Sequence, residues 1–122
     1  MTFSLSQKSI DTMNGVKDPL VNVVKRAIQI SEIDFKVLEG VRTLERQKEL
    51  YARKVTQTLN SKHLTGDAVD LGALKDGQIT WDKQSYATVA KAMKQAAKEL
   101  QVNIRWGGDF KTFFDGPHFE LI

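Results

Sequence analysis

The two histidines of this chain each lie in a short stretch that also carries carboxylates and a glycine. His63 belongs to the stretch 61–70, which ends at Asp70, and His118 belongs to the stretch 115–120. A catalytic zinc ion ordinarily takes three protein ligands from imidazole, carboxylate or thiolate groups and leaves a fourth position for water. Two imidazoles and one carboxylate would meet that need and leave a net positive charge, which lowers the pKa of a bound water.

The first stretch must fold back on itself if both of its ends are to reach one ion. Asp70 follows His63 by seven residues, a spacing that does not bring two side chains together on neighbouring turns of a helix. A loop that bends at Gly66, where the backbone is least restricted, and enters a strand at Ala68 would bring them to one point. The small side chain of Ala68 leaves room beside the metal.

The second stretch adds a carboxylate on either side of its histidine. Asp115 lies three residues before His118, close enough to act on the same water as a general base without being a ligand. Glu120 lies two residues after His118, so on a strand it points to the same face and can orient the imidazole. A histidine beside polar groups can equally be structural or exposed, so residue types and spacing leave both interpretations open.

Composition limits the remaining possibilities. The 122 residues are enough for one domain with its own core, and 41% hydrophobic and 27% charged residues are ordinary for a soluble protein. The absence of cysteine excludes disulfides, thiolate zinc sites and a cysteine nucleophile. A formal charge of +3 would attract polyanions only weakly, and its dispersal along the chain favours a solvated surface over a nucleic-acid site. The first residues lack the features of a secretory signal, and no apolar run approaches a membrane span.

Hydrophobic periodicity and capping residues predict alternating helices and strands. Helices are expected over about 5–15, from an N-cap at Asp18 to about Ser31, over about 44–54 behind Thr43, and from Asp82 to about Leu100. Strands are expected over 33–41, 68–74, 102–106 and 118–122, with a loop over 55–62. The third helix should present Leu44, Gln47, Leu50 and Tyr51 on one face, and the last should bury a face that includes Leu100.

This order of elements favours an α+β domain, in which helices pack on a small, mainly antiparallel sheet. The interpretation is a single catalytic domain over 1–122, with a helical N-terminal part over 1–32 and the sheet and metal site over 33–122. No linker and no second domain is expected.

Four motifs, taken in order, resemble a known superfamily. The pattern Ser61-x-His63-x-x-Gly66-x-Ala68-x-Asp70 resembles the S-x-H-x-x-G-x-A-x-D signature of the zinc D-Ala-D-Ala carboxypeptidases and dipeptidases. Asp115-x-x-His118 resembles their acid-x-x-His element, and Gly40-Val41-Arg42-Thr43 resembles their upstream G-x-R-[ST] segment. Trp106-Gly107-Gly108-Asp109 followed by Pro117-His118-Phe119-Glu120 is closer to one branch, the phage endolysins that act as L-alanyl-D-glutamate endopeptidases. The resemblance covers about residues 33–121.

The resemblance implies the zinc D-Ala-D-Ala peptidase-like fold and a single catalytic zinc ion. The ion would be held by His63, Asp70 and His118, with Asp115 as the catalytic base. Relatives often carry glutamate where this chain has Asp115, so the reach of the shorter side chain to the water is a point of departure. Residues 1–32 match no motif, and their expected role is to position the sheet.

Two further residues enter the site through the resemblance. It implies that Arg42 lies near the substrate as an anion or oxyanion partner and that Ser61 lines the substrate cleft. The alternatives are structural: Arg42 can pair with Glu39 or Glu45 at the surface, and Ser61 can cap a turn. Trp106 is expected in the core or cleft wall, and Asp67 and Asp109 are expected to be solvated or turn-forming.

The function implied is that of a zinc metallopeptidase endolysin. Its substrate would be the L-Ala-D-Glu bond of peptidoglycan stem peptides, and its cleavage would lyse the bacterial host at the end of phage infection. The expected enzyme is a monomer made in the host cytoplasm and released by a holin to the periplasmic peptidoglycan, without membrane insertion or nucleic-acid binding. A D,D- or L,D-carboxypeptidase acting on stem peptides is the enzymatic alternative. A basic wall- or nucleic-acid-binding module is the non-catalytic one.

Overall fold

The computed structural model describes residues 3–54, 61–111 and 113–122. Most of the predicted loop over 55–62 therefore lies outside the described residues. Within these ranges the α-helices are α1 Gln7–Thr12, α2 Asp18–Ile30, α3 Leu44–Ala52 and α4 Lys83–Leu100. The strands are β1 Phe35–Glu39, β2 Ala68–Lys75, β3 Gln78–Ile79, β4 Ile104–Trp106 and β5 His118–Leu121. Two short 3-10 turns span Lys62–Thr65 and Gly107–Asp109.

Side-chain caps begin three of the helices. Thr43 accepts a hydrogen bond from the backbone N–H of Arg46, and Asp82 accepts one from Ser85, so both predicted N-caps are confirmed. The predicted cap at Asp18 is wrong by one position, because Lys17 is the N-cap and Asp18 is already helical. Its carboxylate instead lies in the first turn, where it faces the positive end of the helix dipole.

An antiparallel sheet with the strand order β1-β2-β5-β4 forms the framework of the molecule. In the β2–β5 pair, Asp70 lies opposite His118, so the two motifs are joined by strand pairing. In the β1–β2 pair, Glu39 lies opposite Asp70 after an irregularity in the register. The short strand β3 was not predicted; it pairs with the end of β2.

The main core lies between the sheet and the two long helices. Helix α2 packs against α4, and both bury apolar side chains with the sheet residues. The core includes Leu20, Val23, Val24, Ala27, Phe35, Leu71, Tyr86, Val89, Met93 and Phe119. The predicted α+β class is confirmed, and α2, which carries no motif, is part of the core.

The predicted burial of Leu100 is wrong, and the predicted face of α3 is only partly buried. Leu100, the last residue of α4, is 43% exposed because the helix ends there beyond the edge of the core. Helix α3 buries Gln47 and Leu50, whereas Leu44 and Tyr51 are largely exposed. No helix in the described ranges is long and apolar enough to cross a membrane.

Candidate metal centre

The 3-10 turn Lys62–Thr65 positions the first histidine. Ser61 caps this turn by accepting a hydrogen bond from the backbone N–H of His63 at 3.2 Å, and Gly66 ends it with φ at +79°. The side chain of His63 is buried, and its Nδ1 lies 2.9 Å from the carbonyl oxygen of Gly40. A carbonyl can only accept, so Nδ1 carries the hydrogen and Nε2 presents its lone pair to the interior.

Strand pairing brings Asp70 and His118 to the same point. Oδ1 of Asp70 lies 3.3 Å from Nε2 of His63 and 3.5 Å from Nδ1 of His118. One ligand atom from each of the three residues lies within 4.8 Å of the others. The outer nitrogen of the His118 ring, Nε2, lies 2.8 Å from Oε1 of Glu120, as the strand alternation predicted.

These three residues fit a zinc ion. Ligand atoms arranged tetrahedrally at zinc bond lengths of roughly 2.0–2.1 Å stand about 3.3–3.4 Å apart, close to the two shorter separations. Nε2 of His63 and Oδ1 of Asp70 are buried and have no hydrogen-bond partner among the described residues. Buried polar atoms without partners cost free energy, and a cation between them would remove that cost.

In the metal-free protein, the charged groups of the centre shift one another's pKa values. Burial would raise the pKa of Asp70, but the two imidazoles beside it lower that pKa well below its ordinary value. Burial would lower the pKa of His118, yet its contacts with Asp70 and Glu120 raise it above 6.5. Asp70 therefore stays ionised, as a metal ligand must.

Asp115 lies in the turn before β5, where the charges of the centre act on its carboxyl group. Its backbone N–H donates to the carbonyl of Gly107, and its own carbonyl accepts from the N–H of His118, both at 3.1 Å. Burial raises the pKa of its carboxyl, and the charge of Asp70 raises it further, whereas the two histidines and Arg42 act in the opposite direction. A carboxylate with a raised pKa is a stronger base, which suits the predicted role.

Arg42 lies beside the centre but is held by protein groups. Its Nε and Nη2 donate to the two carboxylate oxygens of Glu39 at 2.7 and 2.9 Å, and Nη1 donates to Oε1 of Gln47 at 2.7 Å. Nη2 lies 3.7 Å from Oδ2 of Asp70, and the side chain is 8% exposed. Of the two surface partners considered, the structure selects Glu39. Contact of Arg42 with substrate stays a prediction.

The other residues singled out in the sequence have local partners. Ser61 caps the turn that carries His63, and its place in a substrate cleft stays a prediction. Asp67 pairs with Lys17 at 2.9 Å and Asp109 with Lys94 at 2.8 Å, so neither is a ligand of the centre. Trp106 lies at the edge of the core, and its indole N–H donates to the carbonyl oxygen of Gly116 at 2.8 Å.

Aromatic side chains adjoin the second histidine. The ring centroid of Phe110 lies 5.7 Å from that of His118, and the ring of Phe113 lies 5.1 Å from Phe110. Phe113 and Phe114 are both partly exposed next to Asp115. The packing of Phe110 and Phe113 beside His118 was not predicted, because two phenylalanines at this spacing have no periodicity that indicates a common surface.

Two supports of the centre were also missed. The connection between α1 and α2 packs against the turn that carries His63. The backbone N–H of Lys17 donates to the carbonyl of Gly66, and a Cβ on Gly66 would lie 2.6 Å from the carbonyl oxygen of Gly15. Lys62, beside His63, donates to the carbonyl oxygen of Leu121 at 2.6 Å. Neither support has a sequence signal, since each depends on a contact between distant segments.

Comparison with known proteins places this arrangement among L-alanyl-D-glutamate peptidases. A profile of the family described as "Phage L-alanyl-D-glutamate peptidase" matches residues 1–122. The L-alanyl-D-glutamate peptidase of Escherichia phage T5 is 32% identical over 137 aligned positions, which cover 100% of both chains. The crystal structure of the Serratia marcescens L-Ala D-Glu endopeptidase ChiX superposes with a TM-score of 0.91 at 41% identity, covering 95% of this chain and 87% of that one. The vancomycin resistance D,D-dipeptidase VanXYg shares the fold at a TM-score of 0.57 and 19% identity, over 87% of this chain and 50% of that one.

Proposed function

The chain belongs to the phage L-alanyl-D-glutamate peptidase family, and from that membership we propose a zinc-dependent cleavage at the centre formed by His63, Asp70 and His118. The family and fold predicted from the motifs are confirmed. The protein is an enzyme, an L-alanyl-D-glutamate endopeptidase that acts on peptidoglycan.

One observation carries the assignment of zinc. Two buried ligand atoms, Nε2 of His63 and Oδ1 of Asp70, face each other without hydrogen-bond partners among the described residues. The other ring nitrogen of each histidine is already engaged, by Gly40 and by Glu120. Both rings are therefore fixed with a lone pair toward the same point, which is the arrangement that a metal requires.

The chain's own residues divide the work of hydrolysis. When bound, zinc would supply Lewis acidity at the scissile carbonyl and acidify the attacking water. Asp115 takes the proton of that water and returns it to the leaving amine, and no covalent enzyme intermediate is needed. Arg42 holds Asp70 in place and is the candidate partner for the negative charge that develops on the carbonyl oxygen of the substrate. Ser61 is the candidate residue lining the substrate cleft. Burial and the charge of Asp70 raise the pKa of the Asp115 carboxyl, which makes its carboxylate a stronger base for that proton.

Substitutions separate the metal ligands from the base. Asp115→Ala is expected to retain one zinc per chain and to lose most hydrolysis, whereas His63→Ala and His118→Ala are expected to lose the metal. Zinc content by atomic spectroscopy and turnover on purified sacculi measure the two properties. Asp109→Ala is the matched control, because its carboxylate pairs with Lys94 at the surface. Full activity of Asp115→Ala would refute the base assignment, and unchanged zinc in either histidine variant would refute the ligand set.

The bond that is cut is tested on the products. Mass spectrometry of digested peptidoglycan is expected to find stem peptides with a newly freed N-terminal D-glutamate. Released D-alanine would instead indicate the carboxypeptidase alternative. A chelator is expected to abolish the digestion and added zinc to restore it; binding without any digestion would support the non-catalytic module.

The biological setting is also part of the proposal. We infer a phage endolysin that acts as a monomer, is made in the host cytoplasm, and depends on a holin to reach the peptidoglycan layer. Residues 1–122 would act as one catalytic domain, which the shared core of α2, α4 and the sheet supports. Expression of the enzyme with and without a holin in a Gram-negative host tests this, and lysis is expected only when the enzyme and the holin are both present. Sedimentation equilibrium tests the oligomeric state.

A further inference from the structure

The two histidines of the centre are held by chemically different acceptors. Nδ1 of His63 donates to a neutral group, the backbone carbonyl of Gly40, at 2.9 Å. Nε2 of His118 faces a carboxylate, Oε1 of Glu120, at 2.8 Å. A hydrogen bond to an anion is stronger than one to a carbonyl and draws the proton further from the ring, which makes the imidazole a stronger electron donor.

The second oxygen of Glu120 has its own partner. Oε2 lies 3.2 Å from Nζ of Lys62, so each oxygen of the carboxylate contacts a different cation or donor. The Glu120 side chain is 10% exposed, and this division of contacts fixes its orientation. Without the contact to Lys62, the carboxylate of Glu120 would be free to rotate or to bind water. Its hydrogen bond with the imidazole of His118 would then be weaker.

Lys62 is itself fixed at the same place. Its Nζ donates to the carbonyl oxygen of Leu121 at 2.6 Å, on the strand that carries His118 and Glu120. Lys62 also directly precedes His63, on the turn that supplies the first histidine. The ammonium group therefore joins the two segments that provide the two imidazoles.

We propose that Lys62 and Glu120 form a positioning pair for His118, in which Glu120 orients the ring and increases its electron donation and Lys62 holds Glu120 in place. Neither residue touches the substrate or the metal in this assignment. The inference rests on the proposed zinc site. It predicts that the affinity for the metal depends on two residues outside the ligand set.

Two substitutions test the pair. Glu120→Gln keeps the size of the side chain and an acceptor oxygen but removes the charge, and Lys62→Met keeps the aliphatic stem but removes the ammonium group. Lys17→Met is the matched control, because the half-exposed Lys17 side chain pairs with Asp67, just after the same turn, and the substitution leaves the backbone N–H that donates to Gly66 in place. The affinity for zinc is measured by competition with a chromophoric chelator, and the cobalt(II)-substituted proteins are compared by visible absorption.

A loss of zinc affinity on the order of 10-fold is expected for Glu120→Gln. A smaller loss is expected for Lys62→Met, and none for Lys17→Met. The cobalt(II) absorption bands should shift in the first two variants and stay unchanged in the control. Lys62→Arg, which restores the charge, should recover most of the affinity.

Thermal unfolding of the metal-free variants separates positioning from folding. If either variant fails to fold without metal, the other and Lys62→Arg still decide the question, because Lys62 is 43% exposed and its loss leaves no buried cavity. Unchanged zinc affinity and cobalt spectra in folded Glu120→Gln and Lys62→Met would overturn the pair. Failure of the wild-type protein to bind zinc would instead overturn the proposed function, so the two failures are distinguishable.

Discussion

The carbonyl oxygen of Gly40 lies 2.9 Å from Nδ1 of His63, and the two residues are 23 positions apart in the chain. A second hydrogen bond joins the same two segments: the backbone N–H of Arg42 donates to the carbonyl oxygen of His63 at 2.9 Å. The backbone of the upstream G-x-R motif therefore holds the turn that carries His63, independently of the side chain of Arg42.

Gly40 is expected to tolerate no side chain. A Cβ there would lie 2.5 Å from the carbonyl oxygen of Thr12 and 2.9 Å from Cγ2 of Val16, so Gly40→Ala must displace β1 or the α1–α2 connection. We expect about 1–3 kcal/mol of lost stability and a weaker affinity for zinc, because the carbonyl that orients His63 moves with the strand. Urea unfolding and chelator competition measure both. Wild-type values in each would contradict the expectation.

Gly66 and Gly77 form a matched pair for backbone strain. Both have φ near +80°, but a Cβ on Gly66 would lie 2.6 Å from the carbonyl of Gly15, whereas one on Gly77 would have nothing within 4 Å. Gly77→Ala should cost about 1 kcal/mol from the left-handed backbone alone. Gly66→Ala should cost more and should weaken zinc binding, which Gly77→Ala should leave intact. Equal losses of stability in the two variants would show that the contact with Gly15 is unimportant.

Arg42→Lys is expected to destabilise the metal-free protein. A lysine cannot reproduce the paired hydrogen bonds to Glu39 together with the one to Gln47, and these groups lie in a largely buried cluster. A loss of about 1–3 kcal/mol follows from leaving acceptors unpaired. Arg46→Lys is the control on the neighbouring helix, since Arg46 is exposed and pairs only with Glu49 among the described residues.

Kinetics of the same variant bear on substrate contact. If Arg42 also binds an anionic group of the substrate, Arg42→Lys should raise KM as well as lower kcat. A change confined to the stability of the protein would leave Arg42 as a positioning residue for Asp70.

The centre should impose a defined pH dependence. In the metal-free protein the pKa of His118 is raised above 6.5, so its stabilising contribution is complete below that pH and is lost as pH rises through the folded-state value. The pKa of Asp70 is lowered from 3.8, so its contribution is complete above that pH and is lost as pH falls through the folded-state value. The two residues together should therefore contribute most to the stability of the metal-free protein between about pH 3.8 and 6.5.

Zinc affinity should rise as pH increases through the pKa of His118, whereas the stability contributed by His118 falls over the same range. A metal ligand must be unprotonated, so the proton on His118 competes with zinc, and affinity should fall as pH decreases through the raised pKa. Chelator competition across pH measures this, and urea unfolding of the metal-free wild type and His118→Gln isolates the histidine's part in stability. A zinc affinity that does not change below neutral pH would contradict the assignment of His118 as a ligand.

Local chemistry in the sequence predicted where α3 and α4 begin and which residues are candidate metal ligands. Thr43 and Asp82 cap their helices because the cap depends on a side chain and a backbone N–H only three residues away. The spacing of His63, Asp70 and His118, together with the surrounding motifs, indicated the metal centre and the family before any distance was known.

The tertiary structure decided what depends on distant segments meeting. The pairing of Asp70 with His118, the hold of Gly40 on His63 and the contact of Lys62 with Glu120 all cross between elements that no periodicity connects. The exposure of Leu100 was likewise settled by where the core ends. A single sequence specifies the donors and acceptors of such contacts, but which of them meet is decided by the packing of the sheet against α2 and α4.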